Sequence, residues 1–66
     1  MKLHIDSAAD ALYLRLDDSK IIESEEVSPG VVLDFNEHNQ VVGVEMHRLS
    51  QRTPHLDLRD LQVQTA

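Results

Sequence analysis

There is no cysteine in this chain, and its 66 residues hold only two glycines, two prolines, one tyrosine and one phenylalanine. Without thiols there is no disulfide, no thiolate-based zinc site and no cysteine nucleophile. The same absence accords with a reducing cytosol. Gly30 and Gly43 stand too far apart to form a glycine-rich loop around a phosphate. The serines at positions 7, 19, 24, 28 and 50 lie in no nucleophile-elbow motif. Basic residues are scarce as well: six Lys and Arg against twelve Asp and Glu give a formal net charge of -6. Such a surface repels phosphate backbones and anionic headgroups, so neither direct nucleic-acid binding nor membrane association is expected. No apolar run approaches the ~18 residues of a membrane span, and the N-terminus lacks a signal-type apolar stretch, so a soluble, cytoplasmic protein is expected.

The acidic charge is uneven. Residues 1–46 carry ten acids against Lys2, Arg15 and Lys20, while residues 47–66 carry Arg48, Arg52 and Arg59 against Asp57 and Asp60. An acidic body with a slightly basic tail can join tail to body within one subunit or between two, or can receive a basic partner protein.

Period-two alternation organises most of the body. Lys2 to Ile5 forms a short first strand, and Asp6-Ser7-Ala8-Ala9-Asp10 a turn held by side-chain bonds to backbone. In the next strand Leu12, Leu14 and Leu16 share one face and Ala11, Tyr13 and Arg15 the other. The leucine face is expected to be sealed and the other to meet water or a partner. Ile21 to Val27 is β-prone but carries Glu23, Glu25 and Glu26, the composition of an exposed edge strand. Ser28-Pro29-Gly30 marks a turn, after which Val31, Leu33 and Phe35 face Val42, Val44 and Met46 across a hairpin. Asn39 stands where that hairpin loop wants a positive φ. Gly43 in mid-strand points to a large neighbour lying across it, Tyr13 being the candidate. Past Met46 the period changes: His47 to Arg52 reads as a helical turn or two before Pro54, and Leu61 to Gln64 as a short closing strand.

Three of these segments resemble one family. Ile5-Asp6 followed by Ala9-Asp10-Ala11-Leu12-Tyr13-Leu14-Arg15-Leu16, then Gly30 to Phe35, then Val41-Val42-Gly43-Val44-Glu45-Met46 with Leu49-Ser50 after it, are similar in order and content to the domain of unknown function 2283 family of small bacterial, archaeal and phage proteins. The match covers roughly residues 3–50, with Asn39 in place of a common glycine and an unusual His47-Arg48 step. The resemblance implies a small antiparallel sheet with a short helical segment and no assigned activity. It also makes an antitoxin-like partnership with a small toxin-like neighbour an expectation.

The fold class expected is therefore α+β, mainly β: one domain over residues 1–66, an antiparallel sheet of four to five strands with one or two short C-terminal helical turns. So short a chain without disulfides gains most from a second copy, and a homodimer is expected. A binding or regulatory module is expected rather than an enzyme, with no cofactor. Its leading role is to bind a basic protein partner, with Asp10, Tyr13, Arg15 and Glu45 near the contact, because an aromatic beside a guanidinium is a common interface anchor. The competing role is a metal-dependent hydrolase or metal-binding protein using Asp6, Asp10, Glu45 and His47. Glu45 and His47 share a face, as do His4 and Asp6, and together they make a His/carboxylate set if those strands are neighbours. Against it, Asp6 and Asp10 in a tight turn ordinarily accept backbone N–H bonds. His4, His38, His47 and His55 also lack the short helical spacing of a zincin-type site. A purely structural domain is the third reading.

Overall fold

A computed structural model describes residues 1–66. It shows five strands and one short helix: β1 (Lys2–Asp6), β2 (Ala11–Arg15), β3 (Glu23–Ser28), β4 (Val31–Phe35), β5 (Val41–Met46) and α1 (Leu49–Arg52). The strands form one antiparallel sheet in the order β1-β2-β5-β4-β3. No helix is long and apolar enough to cross a membrane.

Three turns close the hairpins by the chemistry their residues offer. At β1–β2, the Asp6 carboxylate accepts the Ala9 N–H at 3.0 Å, and Asp10 takes a φ of 54°. At β3–β4, Gly30 supplies a φ of 77° directly after Pro29. At β4–β5, Asn36 Oδ1 accepts the N–H groups of His38 and Gln40, both at 3.0 Å, and Asn39 adopts a φ of 58°. Asn36 is only 4% exposed, so its side chain is the buried scaffold of that loop.

Two local units thus arise, the β1–β2 hairpin and the β3–β4–β5 meander, and they meet where β5 pairs with β2. The segment 16–22 crosses from β2 to the far edge. It is fixed at its start by Leu16 N–H to the Val42 carbonyl (2.7 Å) and at its end by Ile22 N–H to the Phe35 carbonyl (2.9 Å).

The register lays out two faces. On one, Leu3, Leu14, Val44 and Leu33 form a row across the sheet, and Ile5, Leu12, Met46 and Val31 a second. Glu25 ends the first row on β3, and Glu23 stands opposite Phe35 on the same face. On the other face the rows are Lys2, Arg15, Gly43, Asp34, Ser24 and His4, Tyr13, Glu45, Val32, Glu26.

The expectation of a sealed leucine face is corrected by the burial. Leu12 and Leu14 are half-buried and Leu16 is 39% exposed; of the apolar set read from alternation only Val42, at 1% exposed, is fully enclosed, while Asp34 and Gly43 on the polar face are buried. The reason is that no second layer lies over the apolar rows, whereas Arg15 on the polar face holds the start of the crossover through the carbonyls of Asp17 and Ser19.

Helix α1 sits at the end of the sheet beside the β1–β2 and β3–β4 turns. Leu49 N–H donates to the Asp10 carbonyl at 2.9 Å, and Arg52 reaches the Pro29 carbonyl at 2.7 Å. The expected closing strand at Leu61 to Gln64 does not form. Residues 53–66 make two local turns, Leu56 to Thr53 and Asp60 to Asp57, and Asp57 takes the Arg59 N–H and Nε. These turns precede the expected strand, and no ladder bond joins residues 61–64 to either sheet edge.

Leu49 is 3% exposed and is the largest apolar anchor of the helical end. Leu49→Ala is expected to lower stability by about 2 to 4 kcal/mol, read as a lower urea midpoint at unchanged slope.

Candidate functional site

The polar face is built around Gly43. Its neighbours in the row are Arg15 on β2 and Asp34 on β4. With no Cβ in the way, the Tyr13 ring lies across the glycine and its hydroxyl donates to Asp34 Oδ2 at 2.9 Å, as the mid-strand glycine led one to expect. A Cβ at Gly43 would stand 2.5 Å from Tyr13 Oη and 2.6 Å from Asp34 Oδ2. Ser24 Oγ donates to the other Asp34 oxygen at 2.6 Å, and Arg15 approaches Tyr13 Oη at 3.4 Å. Asp34 is 8% exposed and both its oxygens are bonded, which is what a buried carboxylate requires. Neither Asp34 nor Ser24 was singled out from the sequence. The available signal was an aspartate inside a Val-Val-Leu-Asp-Phe strand, on the face opposite the apolar residues.

The four residues expected near a partner contact occupy different situations. Asp10 is engaged at the helical end, its carboxylate accepting the Ser50 N–H at 3.0 and 3.1 Å and the Ser50 hydroxyl at 2.7 Å. It therefore satisfies free N–H groups of the first turn of α1 from forty residues away in sequence. Arg15 and Tyr13 belong to the network just described. Glu45 faces His47, with Oε1 3.2 Å from Nε2.

The metal set is not brought together. His4, Asp6, Tyr13, Glu45 and His47 line one shallow cleft of about 180 Å³. Strand β2 separates β1 from β5, however, so Tyr13 stands between His4 and Glu45. The set was expected only if those strands were neighbours, and they lie two strand spacings, about 9.6 Å, apart. Asp10 points instead to α1, and no three His or carboxylate side chains converge on one point. A second cleft of about 250 Å³ lies between the crossover and the β4–β5 loop, lined by Ser19, Lys20, Ile22, Asn36, Glu37 and His38.

The family described as protein of unknown function (DUF2283) matches residues 2–50. The chain belongs to the DUF2283 family. No curated protein and no solved structure matches it. The DUF2283 span runs from the first residue of β1 to Ser50, so it contains the whole sheet and both partners of the Asp10–Ser50 anchor. The two-turn segment 53–66 lies outside it.

In this DUF2283 domain two carboxyls sit below their ordinary value of 3.8. Hydrogen bonds from Ser19, side chain first and backbone second, hold Asp17 down, and Arg15 adds a smaller attraction. Arg59 does the same for Asp57. A lowered folded-state value means that the Asp17 contribution is present above 3.8 and is lost as pH falls through the lowered value. The Asp17 carboxyl, followed by NMR, is expected to titrate below 3.8 and to move back towards it in Ser19→Ala. Gly43→Ala is expected to cost about 1 to 3 kcal/mol, and measurably less in a Tyr13→Phe background, where the hydroxyl the new methyl meets is gone.

Proposed function

We propose that this protein is a non-catalytic binding module that engages a basic protein partner along the acidic edge strand β3. The observation that carries the reading is the state of that edge. β3 ends the sheet, so one side of its backbone has no ladder partner, and Glu23, Glu25 and Glu26 on it are all exposed and in no ion pair. A free edge can take up an extended segment through main-chain bonds, while its side chains select which segment. Three glutamates repel a second copy of the same edge and favour a strand bearing Lys or Arg.

The catalytic alternatives find less support. The one buried carboxylate holds a hydroxyl on each oxygen, the metal set is divided by β2, and no serine hydroxyl is bonded to a histidine. Tyr13 and Glu45 border the His4–His47 cleft on the polar face, and Asp10 and Arg15 act as supports. Neutralising a small basic protein, as an antitoxin does, is the regulatory form of this role.

The test is co-purification on the immobilised full chain at about 50 mM and about 500 mM salt, a range over which exposed charges become strongly screened. A partner of basic composition retained at low salt, released at high salt, and lost with Glu23→Gln/Glu25→Gln/Glu26→Gln is the expected result. Retention unaffected by both salt and the triple variant, or none at either salt, would sink the reading.

A further inference from the structure

We infer that the open apolar face is covered by a second copy of this chain, two sheets packing face to face into a β-sandwich with their β5 strands at the centre. Stable domains bury a sheet's apolar face against another layer, and this chain has only one sheet and a four-residue helix. Along the two apolar rows no side chain is fully buried.

The surface area supports an occupant of this size. A compact 7.5 kDa chain exposes about 4,200 Å², and this one exposes 5254 Å². The radius of gyration is 12.9 Å, against about 11 Å for a compact chain of this length. Segment 53–66 and the open face share that excess of roughly 1,000 Å². Five strands at about 4.8 Å spacing and five residues in length give a flat footprint of about 400 Å². Corrugated by its side chains and doubled by the second copy, it reaches the ~1,000 Å² that a specific interface needs.

Charge chooses the occupant and its orientation. The face carries acids at one rim only, Glu23 and Glu25 on β3, and apolar Leu3 and Ile5 at the other, on β1. A two-fold axis parallel to the strands lays β1 of each copy over β3 of the other. The two acidic rims then stand at opposite edges, four strand spacings or about 19 Å apart, beyond the Debye length of about 8 Å. An axis across the strands would stack the glutamates about 10 Å from one another. The first arrangement places Leu14 over Leu33 and Val44 over Val44, and leaves the outer edge of β3 free, so this inference and the acidic-edge reading stand or fall separately.

Sedimentation equilibrium of the full chain over about 1 µM to 1 mM is expected to reach twice the 7.5 kDa mass, with a Tm that rises with concentration. Leu14→Gln is expected to weaken association by about tenfold or more. Because that variant can also lose its fold, mixed labelled and unlabelled wild-type protein provides the second measurement, with inter-copy methyl NOEs expected for Leu14–Leu33 and Val44–Val44. A single-chain mass at every concentration would overturn the inference, whether the face is then bare or its methyls contact Leu61 and Val63 of the chain's own tail. So would a dimer whose inter-copy contacts are Leu14–Leu14 or lie on the polar face.

Discussion

The antiparallel ladder between β2 and β5 is what joins the two halves of the sheet. The β1–β2 hairpin and the β3–β4–β5 meander are each closed by short turns and each has its own local chemistry. Neither is a domain. Pairing Leu12 with Met46 and Arg15 with Gly43 makes them one sheet, and it requires the chain to carry β3 across to the far edge first. The loop entropy of that closure is offset by the ladder itself and by Arg15, which ties the first residues of the crossover to the strand they leave. Gly43 lies on this seam, and its missing side chain is what lets Tyr13 reach from β2 over β5 to Asp34 on β4.

The seam also explains why burial is not confined to the apolar face. Hydroxyl–carboxylate bonding around Asp34, with the crossover at its side, buries polar atoms on the face that alternation assigns to solvent. The apolar face, with eight aliphatic or thioether side chains in two rows, stays half-open because the only helix is four residues long. That helix is itself held at the end of the sheet by Asp10 and by the enclosed Leu49. A chain of 66 residues has little material with which to build a second layer, so its largest unsatisfied demand is apolar. Its charge, by contrast, gathers on the exposed edge β3, where it shapes which strands can approach.

Family membership covers the sheet and the Asp10–Ser50 anchor and carries no activity with it, so function has to be argued from surfaces. The two free surfaces differ in kind. One is an acidic backbone edge with hydrogen-bonding capacity, suited to a basic extended segment. The other is a broad apolar plane with acids at one rim, suited to a rotated copy of itself. Residues that looked functional in isolation, Asp10 and Arg15 above all, have their polar atoms committed inside the chain.

By itself the sequence determined the five strands of the sheet, though not the absence of the one expected at Leu61 to Gln64, together with their facing, the turns and the edge character of β3, because alternation, Pro29-Gly30, Asn39 and the run of glutamates act within a few residues of where they stand. It also announced that Gly43 needed a large neighbour, since a bare mid-strand glycine has few other reasons to be there. Only the tertiary structure decided that β2 pairs with β5 rather than β3, that β2 stands between the strand of His4 and Asp6 and the strand of Glu45, that Asp10 serves a helix forty residues on, and that the leucine face lacks a cover. Each of these depends on which strands become neighbours, and a pattern of period two is silent about neighbours: it fixes the side a residue occupies and leaves open what lies across from it.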